Sequence, residues 1–379
     1  MKMLVLGAGL QGSACAYDLL QHPDVTEVRL ADIRINEVEP FLAPYSGKRL
    51  IPTPLDVRDH EAVAALMRDS DAVMCALPYY FNYDMAVCAV DAGAHFCDLG
   101  GNTEIVFKQK TLHERARIEE TSVIPDCGLA PGMVNIIAEH GIRQLDAVEA
   151  VRIYVGGLPQ NPEPPLNYQI VYSIEGVLDY YTTLSWVLRG GKRTRVKALS
   201  EREPVEFAKL GTLEAFHTAG GLSTMAFRYE GSIPTMEYKT LRYPGHAQIM
   251  ENIRELGLLD LTPVDVKGSK IVPRDAFIAT VGPRLLKPNG RDVVALRVTV
   301  EGTKGGKKQR LGWELLDYYD EKTGISAMER TTGFSLAITG LMQARQQVNG
   351  AGVLTPDEAV PPDLYIAELA KRGVEIREI

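Results

Sequence analysis

The chain has 379 residues, of which 45% are hydrophobic and 24% are charged, and its formal net charge at pH 7 is −8. This length exceeds what one ordinary hydrophobic core supports, so two domains are expected. The excess of acidic residues argues against nucleic acid or an anionic membrane surface as a partner.

The first predicted element is a strand at residues 2–6, which leads directly into Gly7, Gly9 and Gly12 at the start of a helix. This is the G-x-G-x-x-G pattern of dinucleotide-binding folds in its required context of strand, turn and helix. Gly7 permits the turn, Gly9 lets the backbone approach a pyrophosphate, and Gly12 lets the helix pack on the strand. The pyrophosphate is expected at the helix N-terminus, where unpaired N–H groups favour negative charge.

A second predicted strand, at residues 27–31, ends at Asp32, and this spacing of about 20 residues is typical of the acid that binds the adenosine ribose. A carboxylate there repels a 2′-phosphate, which favours NAD over NADP as cofactor. Arg34 lies close enough to bind that phosphate, so NADP remains the alternative. A glycine turn in an ordinary α/β protein is the structural alternative for the whole pattern.

Strand and helix patterns alternate through the first part of the chain. Further strands are predicted at 50–54, 72–77, 95–98 and 122–125, and helices at 10–21, 59–69, 82–92 and 103–120. This alternation predicts an α/β fold with a Rossmann-type, doubly wound parallel sheet, whose ligands bind beyond the carboxyl ends of the strands. The residues expected to line the nucleotide site are Gly7, Ala8, Gly9, Leu10, Gln11, Gly12, Asp32, Ile33, Asp56, Val57, Ala76, Leu77, Pro78, Asn82, Leu99 and Gly100.

Two carboxylates follow neighbouring predicted strands: Asp98 begins Asp-Leu-Gly-Gly-Asn, and Asp126 lies in Pro-Asp-Cys-Gly-Leu-Ala-Pro-Gly. Both are expected near the nicotinamide, where a carboxylate binds a substrate ammonium group or accepts a proton. Helix capping is the structural alternative for Asp126 and for Asn102.

The predicted secondary structure changes beyond about residue 148, where longer strand patterns are separated by turns that contain Pro and Gly. Alternating apolar residues at 294–300, Gly305-Gly306 and the run 311–316 predict an antiparallel hairpin with one buried face. The basic cluster at 189–197 is expected to be a solvated loop or hairpin rather than a polyanion site.

Helix patterns return at 335–346 and 361–372, and they are expected to pack back on the first domain. Residues 131–333 are therefore predicted to form an inserted α+β substrate-binding domain built on an antiparallel sheet. Residues 1–130 and 334–379 are predicted to form the nucleotide-binding domain.

Two segments of the second domain carry candidate site residues. His217 and Thr218 lie in a stretch rich in hydroxyl groups and glycine, at 214–224, which suits a loop around a small polar ligand, although a lone histidine is more often structural. On a strand, Lys239 and Arg242 point to opposite faces, and Arg242 offers two-point binding of a carboxylate. An ordinary surface cation is the alternative for both.

The five cysteines, Cys15, Cys75, Cys88, Cys97 and Cys127, form no C-x-x-C pair. Free thiols in a reducing cytoplasm are therefore expected, and a metal site is not. No signal peptide and no membrane-spanning segment are expected from the apolar runs.

These segments resemble the saccharopine dehydrogenase-like family, and within it the L-lysine 6-dehydrogenases, over nearly the whole chain. The resemblance is carried by Leu-Gly-Ala-Gly-Leu (6–10), Asp-Leu-Gly-Gly (98–101), Ile-Pro-Asp-Cys-Gly-Leu-Ala-Pro-Gly-Met (124–133), Tyr-Val-Gly-Gly-Leu-Pro (154–159), Pro-Glu-Pro-Pro-Leu (162–166), Ser-Ile-Glu-Gly-Val-Leu-Asp-Tyr-Tyr (173–181), Glu-Ala-Phe-His-Thr (214–218), Tyr-Lys-Thr-Leu-Arg-Tyr (238–243) and Thr-Gly-Ile-Ser-Ala-Met-Glu-Arg-Thr-Thr-Gly (323–333).

The resemblance implies a homodimer in which residues 131–333 serve dimerisation as well as substrate binding. It also implies that the enzyme uses NAD for oxidative deamination of the L-lysine ε-amine, releasing ammonia and a 6-semialdehyde that cyclises. The hypothesis for its site makes Asp126 or His217 the base and lets Asp98 bind the α-ammonium group. Arg242 or Lys239 would bind the α-carboxylate. The full set of expected substrate-binding residues is Arg242, Lys239, Thr218, Tyr243 and Glu175.

Two alternatives to lysine deamination remain open from the sequence. The first is a saccharopine-type enzyme that joins or cleaves an adduct of an amine and a keto acid. The second is a sensor or scaffold that binds NAD without turnover.

Overall fold

Alternating apolar strands and helices build the first part of the chain, and the computed structural model describes residues 1–35 and 37–379. The strands are β1 (Lys2–Leu6), β2 (Glu27–Asp32), β3 (Leu50–Pro54), β4 (Ala72–Cys75), β5 (His95–Asp98) and β6 (Ser122–Ile124). The helices are α1 (Leu10–Leu20), α2 (His60–Arg68), α3 (Asn82–Ala92), α4 (Thr103–Lys110), α5 (His113–Ile118) and α6 (Met133–Ile142). The six predicted strands are present, and the predicted helix 103–120 is divided into α4 and α5.

Longer strands dominate the next part of the chain. They are β7 (Ala147–Pro159), β8 (Ser185–Arg189), β9 (Lys192–Val196), β10 (Glu203–Phe207), β11 (Gly211–His217), β12 (Thr235–Arg242), β13 (Val264–Val266), β14 (Ser269–Ile271), β15 (Asp292–Lys304) and β16 (Lys307–Tyr318). The helices between them are α7 (Ile174–Thr182), α8 (Met225–Arg228), α9 (His246–Glu255) and α10 (Pro273–Leu285). The basic cluster is the hairpin of β8 and β9, as expected.

The last part of the chain is mainly helical. It contains α11 (Ala327–Ala344), β17 (Gly352–Val353), α12 (Pro356–Ala359), α13 (Pro362–Lys371) and β18 (Arg377–Glu378). Helix α11 begins well before the predicted Ser335, because Ser326 caps it. The Ser326 Oγ accepts from the Glu329 N–H at 3.2 Å, and the Ser326 N–H donates to the Glu329 carboxylate at 2.8 Å.

The first sheet has seven strands in the order β3-β2-β1-β4-β5-β6-β17, and every pair of adjacent strands runs parallel. This order confirms the predicted Rossmann-type sheet. The strand order reverses between β1 and β4, and ligands of such sheets bind outside the carboxyl ends at that point. The glycine turn after β1 and the segments after β4, β5 and β6 therefore meet at one edge.

The second sheet has nine strands, with β10-β11-β12-β7-β15-β16-β18 in line and the β8–β9 hairpin attached to β12. It is mixed rather than purely antiparallel, because β12 and β7 run parallel. This differs from the expectation of an antiparallel sheet, since pairing between distant strands leaves no local signal. The predicted hairpin is present as β15 and β16, where Val298 faces Trp313.

Helix α11 joins the two halves of the molecule, and it is buried along most of its length. A Cβ at Gly340 would lie 2.3 Å from the Met74 sulfur of β4, so glycine allows α11 to approach the parallel sheet closely. The Ser335 Oγ donates to the Cys127 carbonyl at 2.8 Å.

Across the described helices, none combines the length and the hydropathy that crossing a bilayer would require.

A buried ion pair fastens the C-terminal helix to α1. The Arg372 guanidinium, 6% exposed, bonds the Asp18 carboxylate at 2.7 Å and the Glu368 carboxylate at 2.8 Å. Replacing Arg372 with Ala leaves buried carboxylates without their cation, and we expect it to lower the free energy of unfolding by about 3 kcal/mol. Urea denaturation followed by circular dichroism measures this change.

The matched control is Lys371→Ala. Lys371 is the neighbouring cation and also pairs with Glu368, but its side chain is 66% exposed. Its loss should cost less than about 1 kcal/mol. Equal destabilisation by the two substitutions would contradict the structural role of the Arg372–Asp18 pair.

Candidate active site

The turn after β1 has the geometry that a bound pyrophosphate requires. Gly7 has φ of 95°, and its N–H donates to the Ala31 carbonyl at 2.7 Å. A Cβ at Gly12 would lie 1.8 Å from the Gly7 carbonyl oxygen, so only glycine lets the first turn of α1 pack this closely on the Gly7 turn. A Cβ at Gly9 would meet no atom within 4 Å, so the backbone there faces open space.

Asp32 lies at the end of β2, directly beside this turn. Its carboxylate accepts from the Ala8 N–H at 2.9 Å and from the Arg34 N–H at 2.8 Å. Leu10 and Ile33, which directly follow Gly9 and Asp32 in the chain, are 48% and 58% exposed. The Arg34 side chain is exposed at the same place, where a cation suits a 2′-phosphate.

Gln11 supplies an independent sign that a polar ligand belongs here. Both polar atoms of its side-chain amide are buried, and within residues 1–35 and 37–379 neither has a hydrogen-bond partner. Buried polar groups are normally paired. The open backbone at Gly9 and the unpaired amide of Gln11 therefore fit a dinucleotide.

The other expected nucleotide residues are spread around the same edge. Asp56 and Val57 follow β3, and the Asp56 carboxylate bonds the Arg58 guanidinium at 2.9 Å, which together with backbone bonds lowers the pKa of Asp56 to about 2. Ala76, Leu77 and Pro78 follow β4 and are half-buried or exposed. Leu99 and Gly100 follow β5 and are half-buried. Asn82 is buried and turned to the carboxylate of Asp98 rather than to the surface.

Asp98 is fully buried at the end of β5 and accepts four hydrogen bonds. The donors are the Asn82 amide at 2.9 Å, the Gln109 amide at 2.7 Å, the Gly100 N–H at 2.7 Å and the Asp126 N–H at 3.3 Å. Burial raises the pKa of Asp98 to about 6, although these bonds oppose the shift. With its oxygens occupied, Asp98 holds together the segments that follow β4, β5 and β6.

Asp126 lies beside Asp98 and is 1% exposed. Its backbone adopts the left-handed region with φ of 63°, which is uncommon outside glycine. The Ser223 hydroxyl donates to Oδ2, whereas Oδ1 is buried with no partner in the described chain. Burial, reinforced by the nearby Asp98 carboxylate, raises the pKa of Asp126 to about 7 despite the Ser223 bond, so this acid exchanges its proton near neutral pH.

A cavity of about 260 Å³ lies between the parallel sheet and the second domain, and Asp126 lies behind its wall rather than in the lining. Ser223, which bonds Asp126, lies in its wall. Tyr180 of α7 faces Gly101, with its hydroxyl 3.7 Å from the place where a Cβ would stand. The residues that line the cavity include no Lys or Arg: Tyr79, Gly101, Asn102, Thr103, Glu104, Asp179, Tyr180, Thr183, Leu184, Ser185, Trp186, Ala219, Gly220, Leu222 and Ser223.

Arg242 is a buried cation on β12, 2% exposed. Its guanidinium stacks over the Tyr168 ring at 4.9 Å and donates to the Tyr181 hydroxyl at 3.2 Å and to the Leu241 carbonyl at 2.9 Å. No carboxylate within residues 1–35 or 37–379 forms an ion pair with it. The Tyr168 hydroxyl beside it is buried and has no partner in the same residues.

His217 and Lys239 lie on the opposite face of the same sheet. The His217 Nε2 bonds the Glu201 carboxylate at 3.1 Å and lies 3.9 Å from that of Glu237. Burial lowers the pKa of His217, although Glu201 opposes the shift. Lys239 donates to the Glu203 carboxylate at 2.8 Å. The structure therefore places these two residues in an ion-pair network and separates them from Asp126 and Arg242.

Glu201, His217 and Glu237 offer ligand atoms within 4.8 Å of one another, as a cation site would. The Arg189 guanidinium bonds both carboxylates, at 2.9 and 2.7 Å, and so supplies the positive charge at that place.

Three further expected substrate residues lie apart from the cavity lining. The Thr218 hydroxyl bonds that of Thr240 at 2.7 Å in the protein interior. The Tyr243 hydroxyl donates to the Pro159 carbonyl at 2.9 Å. Glu175 is exposed in the first turn of α7. Tyr168, which the sequence analysis missed, stands in a Pro-rich segment whose packing leaves no pattern in the sequence.

Two family models cover nearly the whole chain. The model "Saccharopine dehydrogenase NADP binding domain" matches residues 3–124, and "Saccharopine dehydrogenase C-terminal domain" matches residues 128–374. Saccharopine dehydrogenase [NADP(+), L-glutamate-forming] of Schizosaccharomyces pombe is 22% identical over 455 residues, which cover 100% of this chain and 98% of that protein.

Two further proteins are similar over their full lengths. Carboxyaminopropylagmatine dehydrogenase of Synechocystis sp. is 21% identical, covering 100% of this chain and 97% of that protein. The solved structure of apo saccharopine dehydrogenase (L-Glu forming) from Saccharomyces cerevisiae matches with a TM-score of 0.81 and 21% identity, covering 100% and 99% of the two chains. This likeness supports the fold described above.

The raised pKa of Asp126 makes stability depend on pH. An unfolded Asp has a pKa of about 3.9, whereas the folded value is about 7. The folded protein therefore binds the extra proton between these values, and its stability falls as the pH rises through that window. Asp126→Asn removes this titration, so we expect the variant to gain stability over the wild type between pH 5 and pH 8, on the order of 2–4 kcal/mol.

Thermal or urea unfolding of both proteins at several pH values measures this difference. Asp98 titrates in both proteins and so cancels in the comparison. Parallel stability curves for wild type and variant would show that Asp126 is ionised throughout.

A second prediction concerns the choice of cofactor and depends on the carboxylate of Asp32. Asp32→Ser removes the charge, so we expect NAD to bind about 10-fold more weakly and the difference between NAD and NADP to narrow. Calorimetric titration with each nucleotide measures both dissociation constants. Arg34→Ala is the companion variant and should weaken NADP alone; an unchanged ratio in Asp32→Ser would remove that carboxylate from the ribose site.

Proposed function

The chain belongs to the saccharopine dehydrogenase family of oxidoreductases that act on CH–NH groups, and we propose that it interconverts a secondary amine with a primary amine and a carbonyl compound. The observation that supports this proposal is the carboxyl group of Asp126 at the carboxyl end of the parallel sheet: burial raises its pKa to about 7, and it is bonded to Ser223 in the wall of a cavity. The named relatives support this saccharopine-type reaction better than the lysine deamination favoured from the sequence.

In the proposed reaction the cofactor supplies the redox chemistry, and residues of the chain bind the cofactor and the substrate and transfer protons. A bound nicotinamide would supply the hydride acceptor for the carbon attached to the amine nitrogen, and hydrolysis of the resulting C=N bond would give an amine and a carbonyl compound. Gly7, Gly9 and Gln11 would hold the pyrophosphate, and Asp32 the ribose. NAD is proposed because of Asp32, although the S. pombe relative is named for NADP(+).

Asp126 is the proposed acid and base. In the oxidative direction its carboxylate would accept a proton from the amine and release it to solvent; it would then accept one from the attacking water and return that proton to the departing amine nitrogen, and the reductive direction reverses these transfers. The Ser223 hydroxyl bonded to Oδ2 orients the group and leaves Oδ1 for the substrate. A pKa near 7 makes both forms available at neutral pH.

Arg242 is the proposed carboxylate-binding residue. It is buried among aromatic rings without an acidic partner in the described chain, whereas Lys239 is already paired with Glu203. A guanidinium in such surroundings offers two parallel donors to a carboxylate. Because Arg242 and Lys239 lie on opposite faces of β12, only one of them can serve this site.

Lysine deamination remains the second candidate, and one observation favours it. The cavity of about 260 Å³ is small, and no Lys or Arg is among the residues that line it. A substrate with several carboxylates normally requires a cation for each. L-Lysine has a single carboxylate and so requires one cation, for which Arg242, buried outside this lining, is the proposed residue.

The test is an absorbance assay at the reduced-nicotinamide band, with saccharopine and L-lysine supplied separately with NAD and NADP. We expect reduction of the nucleotide with saccharopine, and the reverse reaction with an amine, 2-oxoglutarate and reduced nucleotide. Turnover of L-lysine with ammonia release would select the second candidate. Tight nucleotide binding without turnover of either substrate, or of other amino acids and diamines, would leave the sensor alternative.

Two variants then assign the residues. Asp126→Asn should lower kcat by about 10²- to 10⁴-fold, because the proton acceptor is lost, with the nucleotide dissociation constant unchanged. Arg242→Met should raise KM for the amino-acid substrate by about 100-fold. If Lys239→Met raised this KM about as much and Arg242→Met left it unchanged, the carboxylate site would lie on the other face of the sheet.

A further inference from the structure

Tyr180 of α7 lies in the wall of the cavity, and its hydroxyl group is free to bind another molecule. The side chain is half-buried, and within residues 1–35 and 37–379 its hydroxyl makes no hydrogen bond. A tyrosine hydroxyl that is withdrawn from bulk water usually has a polar partner. A molecule bound in the cavity would supply the partner that the described chain does not provide.

Two glycines from different domains flank the Tyr180 ring. A Cβ at Gly220, in the second domain, would lie 3.0 Å from the ring, and a Cβ at Gly101, after β5, would lie 3.7 Å from the hydroxyl oxygen. The φ angles of Gly101 and Gly220 are 114° and 90°, which other residues rarely adopt. The two segments therefore enclose the ring closely and leave space beside its hydroxyl group.

The same two segments also contact Asp126. Gly100 approaches the Asp126 carboxyl group so closely that a Cβ there would lie 1.7 Å from Oδ1, and the next residue is the glycine that faces Tyr180. On the other side, the Ser223 N–H donates to the Gly220 carbonyl at 2.9 Å, and the Ser223 hydroxyl donates to Asp126 Oδ2. The phenol and the carboxyl group are therefore held near each other by contacts from both domains.

The phenol and the carboxyl group differ in their protonation at neutral pH. Burial raises the pKa of Tyr180, and the Asp126 carboxylate raises it further, because a phenolate there would be repelled. The pKa of Asp126 is about 7. Tyr180 therefore stays protonated and donates a hydrogen bond in the pH range where Asp126 exchanges its proton.

We propose that Tyr180 is a further catalytic residue, whose hydroxyl donates a hydrogen bond to the substrate oxygen that leaves or enters at the C=N bond. That oxygen belongs to the carbonyl group before condensation and to the carbinolamine after it. The inference rests on the proposed function, and it applies to both candidate reactions, because in each of them water must hydrolyse a C=N bond.

In the reductive direction the amine nitrogen bonds to the carbonyl carbon, and the π electrons of the C=O bond move to the oxygen. Tyr180 stabilises the charge that develops on this oxygen, which then takes a proton from Asp126. The carboxylate of Asp126 accepts a proton from the nitrogen and passes it to the same oxygen. Water leaves as the nitrogen lone pair forms the C=N bond.

The wall of the cavity is consistent with a neutral donor for this role. Its residues include no Lys or Arg, so the lining offers no cation to the oxygen. Asp126 lies behind the wall and is already engaged in transferring protons, whereas Tyr180 belongs to the lining itself. A donor that keeps its proton stabilises the oxygen throughout the addition and the loss of water.

Tyr180→Phe removes the hydroxyl and keeps the ring. We expect kcat to fall by about 100-fold, as is typical for the loss of one such donor, with a smaller change in KM and an unchanged nucleotide dissociation constant. Hydride transfer precedes hydrolysis in the oxidative direction. Stopped-flow absorbance should therefore show reduced nucleotide forming at the wild-type rate in the first turnover and slowly afterwards. Saccharopine is the substrate for this measurement, or L-lysine if that is the amine turned over.

An infrared measurement tests the hydrogen bond without turnover when the reaction is of the saccharopine type. A donor on a carbonyl oxygen polarises the C=O bond and lowers its stretching frequency. With 2-oxoglutarate carrying ¹³C at its keto carbon, the bound carbonyl band should lie at lower frequency than the free band in wild type. In Tyr180→Phe it should return most of the way to the free value.

Tyr80→Phe is the matched control, because Tyr80 is 60% exposed and lies outside the cavity lining. It should behave as wild type in both measurements. The role of Tyr180 alone would be overturned if wild type turned over the amine and Tyr180→Phe kept its kcat, slowed the first turnover equally, or left the carbonyl band where it is in wild type. Absence of turnover by wild type with any amine would instead overturn the proposed function, and this inference with it.

Discussion

The burial of two carboxyl groups side by side at one edge of the parallel sheet is the constraint around which the site is arranged. Asp98 is fully buried, and four donors from the segments after β4, β5 and β6 converge on it. One of these donors is the Asp126 N–H, so the anchor also fixes the neighbouring acid. Burial raises the pKa of both carboxyl groups, and the Asp98 carboxylate adds to the shift at Asp126.

The same pair links the nucleotide-binding sheet to the second domain. Asp126 belongs to the segment after β6, but its hydroxyl donor, Ser223, comes from the region that precedes α8. Near this bond, the Asn135 amide of α6 donates to the Gly221 carbonyl at 3.2 Å. A Cβ at Gly221 would lie 2.3 Å from the Tyr238 ring, so glycine lets this segment pack closely on β12. The proton-exchanging group therefore depends on contacts from both domains.

Local patterns in the sequence predicted the first sheet well, because each strand and helix of that region has its own apolar period and turn residues. Pairing between distant strands leaves no such signal, so the parallel contact of β12 with β7 was not foreseen. The alternation along β12 did place Lys239 and Arg242 on opposite faces. Which face meets the cavity depends on the helices that cover the sheet, and the sequence alone does not specify their packing. The placement of His217 in an ion-pair network follows from the same non-local packing.

The surroundings of Arg242 argue that its charge serves recognition rather than folding. A buried cation loses its hydration, and the structure normally compensates with a carboxylate, as it does for Arg372 with Asp18. Arg242 instead has an aromatic ring, a tyrosine hydroxyl and backbone carbonyls, which are weaker compensation than an ion pair. Fold stability would be better served by an apolar residue at this position. A charge kept under these conditions is best explained by an anionic group that arrives with the substrate and completes the pairing.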